Sequence, residues 1–97
     1  MILAIRWTIR AKSDYARILE YLQTNWTTKE LQKFTAKTNK VLSQIAKNPE
    51  IFPASKKINA RKCVLIEQVS IYYQIKKGEV LLVSFWDNRQ NPKKKKF

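Results

Sequence analysis

Apolar residues recur along this 97-residue chain with two periods, helical in its first half and strand-like in its second. Residues 1–7 alternate β-branched and aromatic residues with Ala4 and Arg6, which predicts a first strand. Ala11, Tyr15, Ile18, Leu19 and Leu22 then return at helical spacing, while Arg10, Lys12, Asp14, Arg17 and Glu20 mostly fall off that face. They predict a helix over about residues 9–24, with Thr8 placed to cap it. Thr27 and Glu30 have the T-x-x-E spacing of a capping box, so a second helix starts near residue 28. Its stripe of Leu31, Phe34, Thr38, Val41, Leu42 and Ile45 runs on until Asn48-Pro49 stops it. A connection as short as residues 25–27 makes the two helices an antiparallel hairpin.

Residues 49–59, with two prolines and the pair Lys56-Lys57, read as a loop. Three strands follow, at about residues 60–67, 69–76 and 79–87, joined by turns at Glu67-Gln68 and Lys77-Gly78. In the middle strand Ile71, Tyr73 and Ile75 alternate with Tyr72, Gln74 and Lys76, the period of a sheet with one covered face. The predicted fold is therefore α+β: an N-terminal strand, then a helical hairpin packed on one face of a mostly antiparallel four-stranded sheet. One domain over residues 1–92 and a basic flexible tail over residues 93–97 account for the whole length.

Composition narrows what such a body can do. Twenty Lys and Arg against seven Asp and Glu give a formal net charge of +13, which draws polyanions or an acidic protein. No apolar run approaches the length of a membrane span and no leader with a cleavage site precedes the fold, so a cytoplasmic protein without a membrane partner is expected. With no histidine and one cysteine, Cys63, neither a metal centre nor a histidine base is available. Gly78 is the only glycine, which excludes a Gly-rich phosphate loop, and no cofactor is expected.

The order of elements and the residues within them resemble the RelE/ParE family of toxins from bacterial type II toxin-antitoxin systems. The resemblance rests on Trp7-Thr8, then Ala11, Asp14, Tyr15, Ile18 and Tyr21-Leu22, then Phe34. It continues through Asn48-Pro49, Pro53, Arg61, Ile71-Tyr72-Tyr73-Gln74-Ile75 and finally Arg89-Gln90-Asn91-Pro92. It implies a growth-arresting toxin of the plasmid-stabilisation kind, held in a hetero-oligomer by a cognate acidic antitoxin. A flexible acidic segment suits a body of this charge.

The family divides by target: RelE-like members cut messenger RNA on the ribosome, and ParE-like members inhibit DNA gyrase without a known hydrolytic site of their own. RNA cleavage needs a base, cations for the developing phosphorus charge and an acid for the leaving oxygen. The resemblance places Arg61 and Arg89 at such positions, but two further basic positions fall on Cys63 and Ser70, and the expected C-terminal tyrosine is missing, since none follows Tyr73. This half-present set favours the ParE-like branch, a noncatalytic gyrase inhibitor. The alternative is a ribosome-dependent endoribonuclease using Arg61, Arg89 and Tyr72. Candidate partner contacts are Trp26 between the helices, Arg89 after the last strand, and the loop pair Lys56 and Lys57. Each also has a plain structural reading, as a hairpin plug, an end-of-strand charge and a solvated loop pair. Trp86 is expected in the core, and Cys63 as a small buried hydrophobe.

Overall fold

The computed structural model describes residues 2–55 and 59–88. Strand β1 (Ala4–Trp7) leads into helices α1 (Ile9–Asn25) and α2 (Thr28–Lys47), and strands β2 (Ala54–Ser55), β3 (Ala60–Ile66), β4 (Val69–Lys76) and β5 (Glu79–Asp87) follow. The sheet order is β1-β5-β4-β3-β2. β1 lies parallel to β5, and the other neighbours are antiparallel. The sheet thus has five strands where the sequence suggested four. The extra one, β2, lies inside the stretch expected to be loop. Two residues carry no periodic signal, and β2 exists only through its pairing with Arg61 and Ala60.

Both predicted helix starts are present. The Thr8 hydroxyl accepts from the Ala11 N–H at 3.0 Å, and Thr27 and Glu30 form the full capping box. The Leu3 N–H donates to the Ala46 carbonyl at 2.9 Å, which satisfies one of the carbonyls left over at the end of α2. At the β4–β5 turn Lys77 and Gly78 both have positive φ, 52° and 74°, the pairing that a tight hairpin matching the strand twist requires.

The main core lies between the hairpin and one face of the sheet. Phe34, Leu42 and Ile45 from α2 and Ala11 and Leu22 from α1 meet Cys63, Leu65, Ile71, Tyr73, Val80 and Leu82 from the strands. A chain of aromatic contacts runs through it: Phe85 stacks on Trp7 with centroids 5.2 Å apart, Tyr15 touches both, and Phe34 links Tyr15 to Trp26. Tyr72 and Trp86 are also buried, but they form a separate cluster with Ala60. Tyr72 pairs with Lys62, and Trp86 with Ser70, so both lie on the sheet face opposite Tyr73. Trp86 is therefore buried, as expected, but away from the helix-side core.

Two bulges adjust the sheet, at Leu65 in β3 and at Val83 in β5, where the pairing skips one residue. The second follows the point where β1 ends. Trp7 is opposite Leu82, and the Thr8 N–H and hydroxyl both bond to the Leu82 carbonyl, at 3.2 and 2.9 Å. Beyond it β5 continues without a strand neighbour on that side, and α1 takes the place of β1.

Candidate functional site

Asp14 is the residue by which α1 closes the free edge of β5. Its Oδ2 accepts from the Ser84 hydroxyl at 2.9 Å and from the Phe85 backbone N–H at 3.2 Å. Arg17 reaches its Oδ1 at 2.6 Å, and Arg10 lies 3.6 Å from Oδ2. The carboxylate is 6% exposed, and Ser84 is fully buried. A buried charge needs such partners to be tolerated, and here a strand edge and two arginines supply them.

Past Asp14 a groove of about 520 Å³ opens between α1 and the end of β5. Arg10, Arg17 and Tyr21 form its helical wall, and Gln68, Trp86 and Asp87 its strand wall. Two arginines and two aspartates balance each other along it. Its remaining surface, from Ile18, Leu22 and Phe85, is apolar, so it suits an amphipathic side chain or segment. Periodicity along the chain does not reveal this groove. Arg10 and Arg17 stand as the solvated side of α1, and the only local signal was one carboxylate with arginines at i−4 and i+3.

The predicted site residues are dispersed. Arg61 opens β3 and turns back to the loop before it, donating to the Phe52 carbonyl at 2.7 Å and the Glu50 carbonyl at 3.5 Å. The Tyr73 hydroxyl donates to the Pro49 carbonyl at 2.7 Å, so both residues hold the same loop. Burial pushes the Tyr73 hydroxyl above its ordinary pKa, and the nearby Arg61 charge opposes that rise. Arg61 pairs with Tyr73 across the ladder, so Tyr72 projects to the other face, where it is 1% exposed. Arg61 and Tyr72 therefore do not converge.

Cys63 and Ser70, at the two remaining basic positions of an RNA-cutting set, are buried as well. Burial raises the Cys63 thiol to about 11, with the Lys37 charge acting against it. That makes it a poor nucleophile near neutrality. The Ser70 hydroxyl donates to Asn88 Oδ1 at 2.9 Å. Trp26 caps the end of α1, is half-buried, and meets Phe34 edge-on at 6.1 Å, so it closes the hairpin. Arg89, Lys56 and Lys57 lie outside the described residues. Among the described residues no cluster of potential metal ligands occurs, and no helix is long and apolar enough to cross a membrane.

Comparison with known proteins places this geometry. The family model described as "ParE toxin of type II toxin-antitoxin system, parDE" matches residues 5–92. No curated protein matches the sequence significantly. Among solved structures, a chain of the chromosomal ParDE TA system from P. aeruginosa has the same fold, with a TM-score of 0.73 at 13% identity. The alignment covers 89% of this chain and 96% of that one.

Proposed function

The chain belongs to the ParE toxin family of type II toxin-antitoxin systems, and from that premise we propose that it is a noncatalytic inhibitor of DNA gyrase, neutralised by a cognate acidic antitoxin. The observation that carries the noncatalytic reading is the dispersal of the RNA-cutting positions. Arg61 is engaged with loop carbonyls on one side of the sheet, Tyr72 is buried on the other, and Cys63 and Ser70 supply no cation. Transition-state stabilisation needs preorganised charges aimed at one reacting centre, and these side chains share none. Inhibition by binding requires only a stable surface.

A net charge of +13 supports the acidic partner, because charge complementarity speeds encounter and a flexible acidic segment can cover much of a small body. The protein acts in the cytoplasm in this reading, where gyrase is found.

The deciding measurement is DNA supercoiling by purified gyrase without ribosomes. Added toxin is expected to block it, and an equimolar antitoxin to restore it. Normal supercoiling together with truncated messages on ribosomes would replace this reading with the endoribonuclease. Expression without antitoxin is expected to arrest bacterial growth, and healthy growth with folded protein present would count against a toxin role.

A further inference from the structure

Helix α2 carries a second pattern besides the one that builds the core. Lys29, Lys33, Lys37, Lys40 and Lys47 are all exposed. At 100° per residue they fall within an arc of about 80°, on the side of the helix away from Phe34, Thr38 and Ile45. Along the axis they span about 27 Å at 1.5 Å per residue. Gln44 also lies in that arc, and Ala36 and Ser43 border it within about 40°, all small or uncharged and likewise exposed.

The only carboxylate on α2, Glu30, is used in the capping box with Thr27. The ion pairs Arg6–Glu79, Arg10–Asp14 and Arg17–Asp14 involve no lysine of α2. A solvated helix face normally mixes both signs, since i,i+4 pairs of opposite charge favour the helix. This face has one sign along its whole length.

We infer that the outward face of α2 is a sequence-independent contact surface for the phosphate backbone of duplex DNA. The residue types decide among polyanions. Protein interfaces centre on aromatic residues and arginine and are depleted in lysine, whereas this stripe has five lysines and neither of the others. Single-stranded nucleic acid is held by aromatic stacking platforms, which the stripe also lacks. Lysine alone acts as a point charge for phosphate, which positions a protein on a duplex without reading bases.

B-form DNA carries one charge per ~1.7 Å of axis, so each lysine of a straight stripe has a phosphate within reach. Its wide major groove admits the exposed half of a helix, and the narrow one of duplex RNA does not. The surface is separate from Arg61, Tyr72 and the groove beside α1, and it stands or falls independently of gyrase inhibition.

The test is fluorescence anisotropy of the full chain with a labelled duplex of arbitrary sequence, about 20 base pairs or two helical turns long, over a series of salt concentrations. The variant replaces Lys29, Lys33, Lys37 and Lys40 with Gln, which keeps helix propensity nearly unchanged. Circular dichroism establishes that it is folded.

The slope of log affinity against log salt is expected to fall by up to about 3.6 in the variant, at ~0.9 per lost phosphate contact. Over a fourfold change in salt, that corresponds to roughly a hundredfold difference in how far affinity drops. Replacing the same lysines with Arg is expected to restore the slope, and a chain lacking residues 93–97 to keep most of the effect of the stripe. An unchanged slope in the Gln variant, or binding lost only with the tail, would overturn the inference. So would tighter binding to single strands or duplex RNA, or a Gln variant that binds DNA normally and loses only the antitoxin.

Discussion

Asp14 shows how much one side chain can hold in a body of this size. Its carboxylate satisfies the Ser84 hydroxyl and the Phe85 N–H, both buried, and it also collects two arginines. Truncation to Ala strands the Phe85 N–H and leaves the Ser84 hydroxyl only the Phe85 carbonyl at 3.4 Å, so Asp14→Ala is expected to cost about 2–4 kcal/mol in urea unfolding. Ser84→Ala removes one of these two donors. The double variant is therefore expected to be less unstable than the sum of the singles, by about 1 kcal/mol, and strict additivity would show that the Ser84 contact contributes nothing. Cys63 makes a second prediction, through pH. Its thiol is raised from 9.0 to about 11 in the fold, so the unfolded chain releases this proton first as pH rises. The resulting stability is fully present below pH 9 and is lost by about pH 11, a decline of roughly 2–3 kcal/mol at 1.36 kcal/mol per unit. Comparison with Cys63→Ala isolates it from the tyrosines that titrate nearby, since the variant is expected to lack that part of the decline. Parallel curves for the two proteins would sink the assignment.

At the scale of elements, what could be read from the sequence was what depends on near neighbours. The capping box of α2, the Thr8 cap of α1 and the Lys77-Gly78 turn each lie within four residues, and each occurs where expected. The two caps nevertheless differ in weight. Thr27 is exposed and serves only its own helix, so Thr27→Ala is expected to cost about 1 kcal/mol. Thr8 also donates its hydroxyl proton to the carbonyls of Leu82 and Val83, 2.9 and 3.1 Å away, so Thr8→Ala is expected to cost about twice as much. Equal losses of unfolding free energy would mean that the link to β5 adds nothing. Partners seventy or more residues away explain why this second role and the Asp14 clasp were not legible, and the Arg61 tether, to carbonyls nine and eleven residues back, also lies beyond the reach of local pattern. Periodicity says which face is buried but not which backbone group a polar side chain will meet. The same reason hid β2, and it hid the groove whose walls come from residues 10–22 and 68–87. The burial of Tyr72 was half legible: alternation separated it from Tyr73, yet nothing local showed that both faces of β4 would be covered.

For the whole molecule, charge is the dominant feature, and its effect on stability opposes its effect on binding. Asp14, Glu30 and Glu79 are engaged in contacts within the fold, and of the net charge of +13 the described residues carry thirteen cations against seven carboxylates, an excess of six on a body whose radius of gyration is 13.3 Å. Many of these cations lie within one or two Debye lengths of one another at low ionic strength, and their repulsion favours the expanded, unfolded chain. Raising salt from about 0.01 to 0.3 M shortens the screening length from ~30 Å to well under 10 Å. The isolated toxin is therefore expected to melt at higher temperature as salt increases; recovery of about 1 kcal/mol corresponds to roughly 4–8 °C for a domain of this size. Ion pairs act the other way, but Arg6–Glu79 is exposed and weak, and the Asp14 pairs are screened less because the carboxylate is buried. With an acidic antitoxin bound, the sign is expected to reverse, because binding stabilises the fold and salt weakens the attraction behind it. Melting curves of toxin and complex over the same salt series should therefore converge. If both rise in parallel, the partner is held by its apolar contacts, and the positive charge of this chain serves some other polyanion.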